Sequence, residues 1–247
     1  SSDPVDHAAV ASAVADVEAE LIALRRDLHA HPEPSWEEVR TTEAVRACLV
    51  AAGVQVGPLV TPTGLVADVG TGDALVALRA DMDALRMGDT KDVAYRSTVP
   101  GVCHACGHDV HVTCLLAACA ELSATRDTWA GTLLAVFQPA EELGDGARAM
   151  IQDGLYERHG TPVVVLGQHV APMPAGTIGV HVGPAFAAAD SLAVTIHGKG
   201  GHGSMPHTTV DPVVLAASTV LKLQTVVSRE SAPAETAVVT IGRLEAG

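Results

Sequence analysis

The sequence predicts an α/β fold, a largely parallel sheet with helices on both faces, followed by a smaller α+β unit. Three observations point there. Short, continuous apolar runs such as Leu133-Leu-Ala-Val-Phe137 and Pro162-Val-Val-Val-Leu-Gly167 alternate with stretches of helical period, the pattern of strands buried on both faces. The apolar runs end in side chains able to bind metals rather than in ordinary turns. With 247 residues, 48% of them hydrophobic and only 2% aromatic, the chain can fill a sizeable core, built mainly of Ala, Val and Leu.

From Val5 to Arg46 the period is helical, with Val14, Val17, Leu21, Leu24 and Leu28 forming one apolar stripe. His29-Ala-His-Pro-Glu33 interrupts it; Pro32 and Pro34 make this a helix stop and restart, with Ser35 expected to cap the next helix and His29 and His31 read as structural. Thr42 to Ala52 continues helically and ends at Gly53. After Gly64 the period becomes extended: Leu65–Val69 and Ala74–Leu78 are expected strands, with Gly70 to Asp73 turning between them. The second runs into Asp81 and Asp83. A loop rich in Gly, Asp and Lys then leads to Cys103-His-Ala-Cys-Gly-His-Asp-Val-His111 and a helix that starts near Asp109. The strand Leu133–Phe137 exits into Gln138-Pro-Ala-Glu-Glu142, a helix is expected over Ala147–Tyr156, and the strand Pro162–Gly167 exits at Gln168-His169.

Past Pro184 the character changes. Ala185 to Asp190 reads as a small-residue connector, Leu192–His197 as a half-exposed strand, Gly198–His207 as a glycine-rich loop, Asp211–Val227 as an amphipathic helix and Thr236–Ile241 as a strand. The expected division is therefore a catalytic domain over 1–186 and a second unit over 187–247.

In sheets of this type ligands bind beyond the carboxyl ends of the strands. Three strand exits deliver Asp81/Asp83, Glu141/Glu142 and His169 to one edge, and a loop brings Cys106 and His108 to a helix start there. Cys106 and His108 can converge on one ion if the backbone turns between them, which Gly107 permits. The positive end of the following helix is expected to favour the Cys106 thiolate. Solvated surface charge does not explain ligand-type side chains at every exit, whereas a shared metal site does. The Cys103/Cys106 pair lacks the second pair of a closed structural zinc site, because Cys114 and Cys119 lie within a helical run. Thiol redox chemistry at Cys103/Cys106 is the rival reading of that pair.

A net charge of −14 argues against nucleic acid or an anionic membrane surface as a partner. Ser1 to Val10 lacks the charged and apolar regions of a signal peptide, and no apolar run approaches membrane-spanning length. Five cysteines, mostly in one segment, read as reduced thiols, so a cytoplasmic location is expected.

The segments Arg25-Arg-Asp-Leu-His-Ala-His-Pro-Glu33, Ala77-Leu-Arg-Ala-Asp-Met-Asp-Ala-Leu85, His104-Ala-Cys-Gly-His-Asp-Val-His111, Gln138-Pro-Ala-Glu-Glu142, Gly167-Gln-His169 and Gly198-Lys-Gly-Gly-His-Gly-Ser-Met-Pro-His207 occur in that order. Together they closely resemble the dinuclear metallo-amidohydrolases, which include hippurate hydrolases, aminoacylases, carboxypeptidases and the plant hydrolases of indole-acetyl-amino acids. The resemblance implies that Cys106, His108, Glu142 and His169 ligate two divalent transition-metal ions (zinc, manganese, cobalt or nickel), with Glu141 as general base. It implies that Asp83 orients a ligand, and that His202, in a ferredoxin-like lid, reaches the active site of the partner in a homodimer. The implied activity is hydrolysis of the amide bond in N-acyl amino acids or related small peptide-like substrates.

One departure qualifies this. The family completes its lid and supplies a fifth ligand, a His, near the C-terminus, yet here no His follows His207 and the lid is incomplete at Gly247. The sequence is expected to be either a fragment or a chain short of one ligand. The alternative function is then a truncated, catalytically impaired relative acting as a metal-binding or dimerisation module.

Overall fold

The computed structural model describes residues 7–57, 61–183 and 188–246, and side chains from residue 15 onward except that of Asp16. Residues 1–6 of the N-terminal stretch and Gly247 lie outside it, as does the side chain of Val14. The expected boundary at 186/187 and the start of the Ala185–Asp190 connector also lie outside it. The chain divides into two units, Ser1–Met173 and Pro174–Gly247.

In the first unit, α1 (His7–Ala30) and α2 (Val39–Ala51) precede β1 (Gln55–Val56), β2 (Leu65–Thr71) and β3 (Leu75–Asp81). Then come α3 (His108–Ala124), β4 (Gly131–Gln138), α4 (Gly146–Gln152), α5 (Leu155–His159) and β5 (Val164–Gly167). The sheet order is β1-β2-β4-β3-β5. It is mixed, which corrects the expected largely parallel sheet: β3 pairs parallel with β4 and β5, whereas β1/β2 and β2/β4 are antiparallel. The apolar runs that suggested parallel strands report burial on two faces, not direction. β2 and β3 are joined by a turn too short for a crossover, so they run oppositely, and β4 enters between them. That insertion depends on missing side chains: a Cβ at Gly72 would meet the Gly131 backbone nitrogen at 2.8 Å, and one at Gly70 would collide with the Trp129 ring.

Alternation along the strands divides the core between two faces. Leu133, Ala135 and Phe137 of β4 pack with Leu28, Val45, Leu49, Val112, Leu115 and Leu116 from α1, α2 and α3. Leu134 and Val136 pack with Met150 and Leu155 from α4 and α5 on the opposite face. Helices thus cover both faces, as expected. α1 buries Leu28 fully, but Val17 is exposed, so the predicted stripe is buried only toward its C-terminal end. The single helix expected over Ala147–Tyr156 is two, broken at Asp153 and Gly154, with Gly154 in the left-handed region at φ 86°. β5 is an edge strand with all four residues exposed.

In the second unit, α6 (Pro212–Thr225) starts at Asp211, whose carboxylate accepts the Val213 and Val214 N–H groups, with Pro212 in the first helical turn. A π-helical turn, Val226–Glu230, continues it. Lys199 and Val210 form an isolated antiparallel bridge across the glycine-rich loop. The strands expected over 192–197 and 236–241 are not paired into a sheet among the described residues. A strand needs a partner as well as a suitable sequence. No membrane-crossing helix, long and apolar enough, is present among the described residues.

Candidate metal centre

β3, β4 and β5 run in the same direction, with Asp81 opposite Gln138 and Arg79 opposite Gly167. Their carboxyl ends therefore form one rim, from which Asp83, Glu141/Glu142 and His169 emerge. The fourth contribution enters through Gly107, at φ 78°, which caps α3 and turns the chain between Cys106 and His108. Gly107 is also the point of close approach to the His169 loop, since a Cβ there would lie 2.5 Å from Val170 Cγ2.

His108 is the hub. Its ring is fully buried, and its Nδ1–H donates to Asp83 Oδ1 at 3.2 Å. Asp83 Oδ2 accepts from Ser35 Oγ at 2.7 Å and from the Glu142 N–H at 3.0 Å. Burial pushes the Asp83 carboxyl up, but these three donors outweigh it and hold the group below its ordinary range. For His108 the balance runs the same way: burial disfavours the charged ring, and the Asp83 bond with the Asp81, Asp83 and Glu142 charges raises its pKa nonetheless. The other nitrogen, Nε2, faces Glu141 Oε2 at 3.8 Å and Glu142 Oε1 at 3.9 Å. Both His108 Nε2 and Glu142 Oε1 are buried without a hydrogen-bond partner among the described residues.

Three groups of donors converge here, each within 4.8 Å: Cys106, His108 and His169; His108, Glu141 and Glu142; and Asp81, His108 and His111. His169 Nδ1–H donates to the Val170 carbonyl at 2.8 Å, which leaves Nε2 available. Cys106 corrects one expectation. The helix end was expected to favour its thiolate, but burial, then a hydrogen bond and charge from Glu142, with Glu141 and Asp83 beyond, push the thiol up to about 11. Anionic donors dominate the half-positive helix end. The pKa of Cys103 is likewise raised by burial, so neither thiol has the lowered pKa of a redox pair.

The donor set fits a divalent transition metal. Unpartnered buried atoms cost about 1–3 kcal/mol each, and a cation between His108 Nε2 and the glutamates would satisfy them while relieving the crowding of acidic groups. Mixed S, N and O donors suit zinc-like ions better than magnesium or calcium, and a His held by a carboxylate through its far nitrogen is the usual arrangement of a ligating imidazole.

Asp81 stands slightly apart. Arg79 pairs with its Oδ1 at 2.5 Å, yet burial raises the Asp81 pKa. His29 and His31 are structural, as the proline-flanked motif indicated: His29 Nδ1–H donates to Asp109 at 2.8 Å and His31 Nδ1–H to the Asp27 carbonyl. Ser35 does not cap α2, whose N-cap is Glu38; its hydroxyl goes to Asp83 instead. His202, in the second unit, accepts the Ser204 N–H on Nδ1 at 3.2 Å. His111 was not singled out from sequence, although its i, i+3 spacing from His108 on a helix is the signal for it. Its Nε2 accepts the Val170 N–H at 3.1 Å, and burial pushes its pKa down to about 4.

Residues 77–242 match the model of the peptidase family M20/M25/M40. The chain belongs to this family. It is 40% identical over 235 residues to an N-acetyl-L-cysteine deacetylase of Bacillus subtilis, covering 94% of this chain and 56% of that one. It is 42% identical over 229 residues to IAA-amino acid hydrolase ILR1-like 4 of Arabidopsis thaliana, covering 92% and 51%. A dinuclear metal-binding M20 peptidase of known structure, from Bacillus subtilis, superposes with a TM-score of 0.65 at 37% identity, over 69% of this chain and 48% of that one. A structure from methicillin-resistant Staphylococcus aureus superposes with a TM-score of 0.79 at 32% identity, over 97% and 64%. The chain thus spans about half of the length of the curated relatives it matches. Membership agrees with the resemblance drawn from the six sequence motifs.

Proposed function

We propose that the protein is a metal-dependent amidohydrolase that cleaves N-acyl amino acids or related small peptide-like substrates. The observation that carries this is His108: fully buried, held through Nδ1 by Asp83, with an unpartnered Nε2 facing two glutamates. Cys106, His108, Glu142 and His169 would hold two divalent transition-metal ions. When bound, such a pair lowers the pKa of water and polarises the scissile carbonyl.

The two glutamates differ in surroundings. The Glu142 side chain is 20% exposed and that of Glu141 37%. The Glu142 backbone is tied to Asp83, whereas Glu141 is open enough to meet a substrate. Glu141 takes the proton of the attacking water and delivers it to the leaving amine. Asp83 keeps the His108 proton on Nδ1 and fixes the ring. In this reading 187–247 contributes to a ferredoxin-like lid through which two subunits pair, and His202 of such a lid would stabilise the oxyanion. Relatives named for N-acetyl-L-cysteine and for IAA-amino acid substrates support the acyl amino acid class.

Glu141→Gln tests the reading. Its zinc content by elemental analysis should match the wild type, while turnover of a panel including N-acetylcysteine and indole-acetyl-amino acids should vanish. Unchanged turnover refutes the role of Glu141, and a wild type that binds zinc yet hydrolyses nothing would favour a non-catalytic module.

A further inference from the structure

Ala140 precedes the two glutamates with a φ of 47°, one of two non-glycine residues in the left-handed region among the described residues. An alanine there is strained, and such strain persists only where the surroundings over-determine it. The surroundings are visible on both sides. The Ala140 carbonyl accepts the N–H groups of Asp145 and Gly146 at 3.3 and 3.2 Å, and Gly146 has no room for a Cβ because the Pro139 carbonyl oxygen occupies that space. Pro139 itself packs where a Cβ on Gly64 would sit, 2.5 Å from Pro139 Cδ. On the other side, the Ala140 N–H donates to Glu38 Oε1 at 2.8 Å.

Glu38 comes from the N-terminal end of α2, far away in the chain, and is 0% exposed. Its second oxygen accepts the Thr63 hydroxyl at 2.6 Å, and its carbonyl accepts both the N–H and the hydroxyl of Thr42. The Thr42 hydroxyl oxygen in turn accepts the Gly64 N–H at 3.0 Å. The carboxylate is therefore held rigidly and spans α2, the entry to β2 and the exit of β4. A buried carboxylate with no ion pair among the described residues is costly, and its placement against one backbone N–H of a strained residue is what the arrangement achieves.

We propose that Glu38 is a positioning residue that locks Ala140 in its left-handed conformation and thereby aims Glu141 at the reacting water. This rests on the reading of Glu141 as general base. Without Glu38, Ala140 relaxes toward negative φ and Glu141 swings with it. Glu142 is held separately, since its N–H donates to Asp83. The loss thus falls on proton transfer rather than on metal binding, a separation that a merely structural role would not produce.

The test uses the full chain loaded with zinc, with Glu38→Leu, Glu38→Gln and Ala140→Gly variants. Glu38→Leu should lower kcat on N-acetylcysteine roughly 10- to 100-fold, the scale of a small misplacement of a reacting group, with zinc content and KM essentially unchanged. Glu38→Gln, which can still accept the Ala140 N–H, should stay within about threefold of wild type. In an Ala140→Gly background, where the left-handed conformation is unstrained, Glu38→Leu should cost markedly less. Hydrogen exchange read on peptides spanning 137–146 should accelerate at least about tenfold in Glu38→Leu and not in Glu38→Gln. If Glu38→Leu does not fold, Thr63→Val replaces it, with a smaller loss of kcat and the same exchange signature. Unchanged kcat and exchange, or parallel loss of zinc, fold and activity in both Glu38 variants, overturns the proposal. A wild type that hydrolyses no N-acyl amino acid refutes the hydrolase reading instead, and the exchange comparison still decides whether Glu38 fixes the loop.

Discussion

Asp83→Asn probes the hub most sharply, because the substitution keeps the volume and removes one acceptor from a side chain that is 0% exposed. Two placements of the amide are available. With its oxygen toward Ser35 Oγ and the Glu142 N–H, the amide NH2 faces His108 Nδ1, and only a ring protonated on Nε2 can accept it. The proton then sits on the nitrogen that faces Glu141 and Glu142. With the oxygen toward His108 instead, the NH2 meets the Glu142 N–H, donor against donor. Either way the fit to a metal suffers, through a proton on the nitrogen that faces the ion or through a mismatched donor, at about 1–3 kcal/mol. That corresponds to a loss of metal affinity of roughly 10- to 100-fold, the usual effect of changing the partner of a ligating His. Competition for zinc against a chromophoric chelator measures this, with circular dichroism confirming the fold. A zinc affinity within about twofold of wild type would refute the idea that Asp83 sets the His108 tautomer.

Other positions give further expected outcomes. Gly107→Ala places a Cβ 2.5 Å from Val170 Cγ2 on a backbone at φ 78°, so thermal unfolding should show a destabilisation of about 1–3 kcal/mol together with weaker zinc binding; an unchanged melting temperature contradicts this. His104 is buried, both its nitrogens lack partners among the described residues, and burial pushes its pKa from 6.5 down to about 4. The unfolded chain then binds the proton more tightly, so stability is lost as pH falls from 6.5 toward about 4, on the order of 3 kcal/mol from this group. Urea titrations of the metal-free protein at pH 6.5 and 4.5 should show about 2 kcal/mol of that loss, and His104→Leu should reduce it; an equal loss in the variant contradicts the assignment. Chelation of a zinc-loaded sample should lower the melting temperature, because an ion that binds only the folded state stabilises by mass action; no shift would contradict a site formed by folding.

Much of the site was legible because its chemistry sits directly at the ends of apolar runs. Leu75 to Ala80 is a largely buried strand and Leu133 to Phe137 a fully buried one, and the residues that leave them at the rim, Asp83 from one and Glu141/Glu142 from the other, could be placed from the order of residues alone. Strand order was not legible, since nothing local to Gly131–Gln138 says that it enters between β2 and β3. Ser35 looked like a helix cap by position, and only the approach of Asp83 from another strand redirects its hydroxyl. Glu38 gave no signal at all, because a glutamate in Trp36-Glu-Glu-Val39 reads as solvated surface until α2 folds against the β4 exit. The Cys106 thiol was misjudged for the same reason: the helix end is local to it, and the carboxylates that outweigh that end arrive from β3 and β4.

The proposed chemistry stands or falls on whether Cys106, His108, Glu142 and His169 bind metal at one rim of the sheet. X-ray absorption on the zinc-loaded protein reads the ligands themselves. Binding at this rim predicts a sulfur neighbour at about 2.3 Å beside N/O neighbours near 2.0–2.1 Å, with the sulfur contribution absent from Cys106→Ser. A zinc spectrum with no sulfur neighbour, or one left unchanged by Cys106→Ser, would contradict it.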